Sequence, residues 1–142
     1  ARVGGKGNKV ELVENNLKDS LILVKPLGFG VSTKDAYNSF DELDEVRYAN
    51  FEKIVECLRN DNRKDLEKYI ENGLEQGISE RNADIKMFKA ILNSVVPGKK
   101  FFMSGSGSTY YTFVTEIERS QIETRLRTFV DNVKIIISKT IN

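Results

Sequence analysis

The chain has 142 residues, 39% of them hydrophobic and 30% charged, with a formal net charge of +1; that suits one domain with a real core and offers no basic field for nucleic acid or an anionic membrane. It contains no histidine and a single cysteine, Cys57, which excludes imidazole acid–base chemistry, an internal disulfide and any multi-cysteine metal site. Apolar runs such as Ile135-Ile136-Ile137 fall far short of the roughly 20 residues a membrane span needs, and the first seven residues lack the apolar core of a secretory signal, so a cytoplasmic protein is expected.

The predicted elements begin after a loose stretch marked by Gly4, Gly5 and Gly7. Val10-Glu11-Leu12-Val13 alternates like a short strand, and Leu21-Ile22-Leu23-Val24 is a continuous apolar run of strand length, ended by Pro26 and the turn Gly28-Phe29-Gly30. Ser32 stands at a helix N-cap position with Asp35 three residues on. Phe51, Ile54, Val55 and Leu58 recur at helical spacing and predict a helix over about 46–59. Leu66, Tyr69, Ile70 and Leu74 repeat the pattern with an interruption near Gly73. A third stripe, Ile85, Phe88, Ile91, Leu92 and Val95, closes at Pro97-Gly98. Phe101-Phe102-Met103 reads as a strand, residues 104–108 as a Gly/Ser turn, and Tyr110 to Val114 as a second strand whose two tyrosines should face opposite sides. Thr115 with Glu118 is a capping box opening a helix with Ile122, Leu126, Phe129 and Val130, and Val133 to Ile137 is a last strand.

From Leu21 onward the order is strand, helices, strand, strand, helix, strand. That is an α+β fold of the ferredoxin-like split βαβ type, with extra helices in the first crossover and an antiparallel sheet carrying helices on one face. Val10–Val13 is surplus to this unit and is expected to need a partner that is not in this chain. The acidic run Asp41, Glu42, Asp44 and Glu45 has no metal-site spacing and reads as a solvated loop. Lys99 and Lys100 are expected as surface charges, and Cys57 as a buried packing residue.

Two stretches have the composition of a ligand site. Met103-Ser104-Gly105-Ser106-Gly107-Ser108-Thr109 could bring backbone N–H groups close to a phosphate, or could be a hairpin loop that needs glycine for its dihedrals. In Lys25-Pro26 through Gly30-Val31-Ser32-Thr33 to Tyr37, the Ser32 and Thr33 hydroxyls lie at a helix start that favours an anion, or simply cap that helix.

In order and spacing the two stretches resemble motifs of the galactokinase–homoserine kinase–mevalonate kinase superfamily. Met103 to Thr109 is similar to its third, glycine-rich motif. The stretch from Pro26 to Thr33 looks like the P-x-x-G-V-S-T segment of the diphosphocytidyl-methylerythritol kinases, with one more residue between Pro26 and Gly30, and residues 1–7 resemble the strand and turn after the second motif. The resemblance implies that 1–142 is the C-terminal, substrate-side domain of a two-domain kinase, with 1–18 a remnant of the junction. It implies transfer of the ATP γ-phosphate to the 2-hydroxyl of the cytidine-diphosphate-linked methylerythritol, with ATP and Mg2+ used by the full-length enzyme and none bound by this chain. The family's catalytic Asp and Lys and its ATP phosphate loop match nothing here, so no catalytic residue and no metal ligand is expected, and the isolated chain should be inactive. By position Thr33 matches a threonine beside the reacting centre, and Tyr37 an aromatic that stacks on cytosine or else a core aromatic at helical spacing. Ser104, Gly105, Ser106 and Gly107 fall near the substrate's phosphates. The expected partners are the N-terminal ATP-binding domain and the small-molecule substrate, with no nucleic acid and no membrane; a homodimer of the chain stays open. The competing reading is a stand-alone, non-catalytic ferredoxin-like module that binds a ligand or a partner.

Overall fold

A computed structural model of the protein describes residues 1–140. The strands are β1 (Arg2–Gly4), β2 (Lys9–Glu11), β3 (Ser20–Pro26), β4 (Phe102–Met103), β5 (Tyr110–Val114) and β6 (Val133–Lys139). The helices are α1 (Thr33–Asp41), α2 (Phe51–Arg59), α3 (Arg63–Tyr69), α4 (Gly73–Arg81), α5 (Ala83–Val95) and α6 (Glu116–Phe129). Four strands form an antiparallel sheet in the order β4-β5-β3-β6. Read from β6, this is the spatial order of a split βαβ unit, so the expected α+β class holds.

Strand alternation sorts the core into two layers. Ile22, Val24, Tyr110 and Val114 point to one face, where Ile78 of α4, Ile85, Phe88 and Leu92 of α5, and Ile122 and Leu126 of α6 close the main core. The alternate positions Leu21, Tyr111 and Phe113, with Phe102, point the other way. Those side chains are as apolar as their neighbours and need cover of their own. The inserted helices α2 and α3 supply it through Ile54, Cys57, Leu58 and Leu66. Helices therefore lie on both faces of the sheet, not on one.

Two further expectations are corrected. The surplus strand has a partner inside the chain: β2 pairs antiparallel with β1, Val3 opposite Val10. Gly5 and Gly7, at φ 64° and 86°, adopt the left-handed backbone that lets the chain reverse there. The first middle helix starts at Phe51 because Asn50 caps it, its side chain accepting the Lys53 N–H at 3.1 Å. Asparagine opens α3, α4 and α5 as well, at Asn62, Asn72 and Asn82. The interruption near Gly73 is thus a helix boundary, with Asn72 as the new N-cap.

Candidate functional site

Residues 29–33 and 104–108 meet in space although the sequence separates them by more than seventy positions. Thr33 Oγ1 and Ser106 Oγ lie 3.1 Å apart in a hydroxyl–hydroxyl hydrogen bond. Ser108 Oγ donates to the Phe29 carbonyl at 3.4 Å. The loop between β4 and β5 closes on itself through Ser104 N–H to Thr109 O at 2.8 Å and Gly107 N–H to Ser104 O at 3.1 Å. Gly107 has a φ of 91°, and a Cβ there would stand 2.8 Å from Met103 Sδ, so glycine is required for both dihedral and space. The loop is a hairpin turn by topology and an exposed surface by position: Ser104 and Gly105 are exposed, Ser106 and Gly107 half-buried.

The other half of the site is the first turn of α1. Ser32 caps it, its Oγ accepting the Asp35 N–H at 3.4 Å. Thr33 and Tyr37 are one helical turn apart, and Tyr37 is 55% exposed. A core role for Tyr37 is therefore set aside. Ala36 and Ser39, on the inner side of the same helix, are buried. A Cβ on Gly77 of α4 would lie 2.6 Å from the Ser39 carbonyl and the Phe40 nitrogen. Glycine lets α4 touch the backbone of α1 and so sets the depth at which Thr33 sits.

At the end of the β4–β5 hairpin away from the loop, charged groups are paired. Lys99, expected at the surface, is largely buried: its Nζ donates to the Phe113 carbonyl at 3.2 Å and to Glu118 Oε2 at 2.8 Å. Its position just before β4 brings the side chain against the Phe113 carbonyl and the first turn of α6, and so little exposed a charge must find partners. Burial alone would push the Glu118 carboxyl up, but hydrogen bonds from Lys99, the Thr115 N–H and Arg63 outweigh it and hold the group at about 2. Burial raises the Cys57 thiol and, together with the Glu75 carboxylate, the Tyr110 phenol. A cleft of about 840 Å³ opens beside α4, lined by Arg47, Glu71, Asn72, Glu75, Lys89 and Lys99 among others, but by none of Thr33, Tyr37 or residues 104–107. Two of its cations are answered by its own acids, Lys89 by Glu75 and Arg47 by Glu71. Among the described residues no group of three His, Cys, Asp or Glu side chains is placed to hold a metal ion.

No family model matches the sequence. Over all 142 residues it is 75% identical to a curated 4-diphosphocytidyl-2-C-methyl-D-erythritol kinase of Fusobacterium nucleatum subsp. nucleatum, covering 48% of that protein. By sequence, the chain is similar to the part of these kinases that it covers. It is also 31% identical over 124 residues to the enzyme of that name from Clostridium botulinum, which takes in 83% of this chain and 41% of the relative. The chain thus spans about half the length of the curated kinases it matches. Among solved structures, a 4-(cytidine 5'-diphospho)-2C-methyl-D-erythritol kinase superposes with a TM-score of 0.68 at 19% identity, over 95% of this chain and 47% of the other. A homoserine kinase from Cytophaga hutchinsonii gives 0.66 at 15% identity, over 94% and 44%. These two likenesses show the fold, which the kinases share.

What the sequence did not single out is the support under the loop. Asn72 Nδ2 donates to the Met103 carbonyl at 2.8 Å and the Gly105 carbonyl at 2.9 Å. A signal for it exists, since Asn72 and Glu75 stand three apart as an N-cap and its acidic N3 partner do.

Proposed function

We propose that this chain is the C-terminal, substrate-side part of a kinase that passes the γ-phosphate of ATP to the 2-hydroxyl of 4-diphosphocytidyl-2-C-methyl-D-erythritol. The observation that carries the reading is the contact between Thr33 and Ser106, which joins the two motif-like stretches into one exposed polar surface. The 75% likeness to a kinase of that name supplies the acceptor. Phosphoryl transfer needs positioning and charge stabilisation more than covalent chemistry. On this reading the Thr33 and Ser106 hydroxyls orient oxygens of the acceptor. The loop's backbone N–H groups, with glycine at 105 and 107, approach its phosphates. Tyr37 offers an open ring face for the cytosine, a stack worth ~1 kcal/mol beyond burial. ATP, its Mg2+ and the acid–base groups belong to an N-terminal domain that completes the site, and the parent enzyme works in the cytoplasm. No helix among the described residues is long and apolar enough to cross a membrane.

Titrating the chain with the cytidine-diphosphate-linked acceptor while following its NMR spectrum tests this. Shifts confined to Thr33, Tyr37 and Gly105–Gly107 are the expected result. Shifts centred on the cleft beside α4, or ATP turnover by the 142-residue chain alone, would count against the division of labour. A second reading, a stand-alone module that binds a ligand or a second copy of the chain, is favoured by the complete four-stranded unit. It predicts binding that the N-terminal domain leaves unchanged.

A further inference from the structure

Asn72 makes more bonds than a helix cap requires. Its Oδ1 accepts the N–H groups of Leu74 at 3.0 Å and Glu75 at 3.3 Å, which caps α4. Both hydrogens of its amide are also engaged, one by the Met103 carbonyl and one by the Gly105 carbonyl. One turn along, Glu75 Oε2 accepts the Met103 N–H at 3.0 Å while Lys89 holds Oε1. The first turn of α4 therefore takes both backbone groups of Met103 and the carbonyl of the residue that opens the glycine turn. Capping needs only an acceptor, which serine or aspartate provides equally well. The two donors are surplus to the helix and are spent on the loop. They also orient it: in a trans peptide the carbonyl and the next N–H point in opposite directions. Drawing the Gly105 carbonyl onto Asn72 aims the Ser106 N–H away from α4.

We propose that Asn72 is a positioning residue, which fixes the height and orientation of loop 104–108 so that Ser106 meets Thr33. The proposal rests on the reading that this loop faces the substrate. It adds α4 as the common support: through Asn72 it holds the loop, and through Gly77 it seats the helix that carries Thr33 and Tyr37.

The test uses Asn72→Asp in the full-length protein that carries this chain, because aspartate keeps the cap acceptor and removes both donors. Asn72→Ser serves the same comparison without the added charge, should the first variant fail to fold. Hydrogen exchange of segment 104–109 is expected to quicken at least tenfold, with α5 and α6 unchanged. Turnover of the cytidine-diphosphate-linked acceptor is expected to fall roughly 10- to 100-fold in kcat, with a much smaller change in KM. Unchanged exchange in the loop overturns the proposal, and so does a loosened loop with full turnover. Failure of the unsubstituted protein to phosphorylate the acceptor would remove the functional reading instead, and the exchange measurement alone would then decide whether Asn72 holds the loop.

Discussion

Among the described residues there are two glycine-bearing hairpins, alike in the backbone conformation of their glycines and different in their surroundings. The turn between β1 and β2 carries Gly5 and Gly7 at positive φ, and the turn between β4 and β5 carries Gly105 and Gly107 in the same conformation. Around the first, the flanking side chains are left outside: Val3 is 61%, Val10 65% and Leu12 90% exposed. Its tie to the rest is Arg2, which pairs with Glu52 at 3.2 Å and lies over the Phe51 ring. The second is enclosed on its inner side by groups from α1, α4 and the segment after β3, all distant in sequence, while Ser104 and Gly105 stay exposed. Glycine content thus marks where a chain can turn tightly. Whether the turn becomes a site depends on what the fold brings to it.

The largest expected effect tests the support of the enclosed hairpin. Gly77→Ala would add a methyl 2.6 Å from the backbone of Ser39 and Phe40, and backbone cannot step aside as a side-chain tip can. The clash should outweigh the gain of about 1 kcal/mol that alanine brings to a helix and destabilise the protein by roughly 3 kcal/mol, read as a fall in denaturation midpoint. Movement of Thr33 away from Ser106 should accompany it. A stabilised Gly77→Ala would show that α1 is not seated by this contact.

The next pair sets the hairpins directly against each other. Gly107→Ala meets both a positive φ and the Met103 sulfur, whereas Gly7→Ala meets the same dihedral with nothing within 4 Å. The first should cost roughly 2 kcal/mol and the second about 1 kcal/mol, measured by chemical denaturation. Equal costs would mean that enclosure adds nothing beyond the dihedral.

The smallest effect concerns the base of the enclosed hairpin, where Lys99 joins Phe113 to Glu118. The Glu118 carboxyl sits at about 2 against an ordinary 4.5, so its contribution is present above pH 4.5 and is lost as pH falls through 2. With the group partly in solvent, screening reduces this to about 1 kcal/mol. Glu118→Gln should flatten the fall in stability between pH 4.5 and 2, and an unaltered slope would remove the assignment.

Local signals in the sequence were faithful. Thr115 and Glu118 form the capping box their spacing announces, Ser32 caps α1, and Tyr110 and Tyr111 part to opposite faces of the sheet. The strand order followed from the order of elements. Legibility ended where a residue's partner lies far along the chain. Lys99 looks like a surface lysine until Glu118 and Phe113 are folded beside it. Asn72 looks like one polar residue at a break in a helical stripe, and its two loop partners lie 31 and 33 residues on. Of the candidate site, residue types and the pairing of stretches could be read; the support beneath them could not.

Asn72 is followed by Gly73, and that pair has a chemistry of its own. With no side chain to hinder it, the glycine nitrogen can attack the neighbouring amide carbon and expel ammonia, and water then opens the resulting cyclic imide to aspartate or its isomer. In the native fold both ends of the Asn72 amide are tethered, so the ring cannot close until the first turn of α4 opens. Ammonia loss at this one position is therefore a slow, cumulative record of how often that turn comes apart. A stored sample ages toward the donor-less side chain that leaves the loop untied.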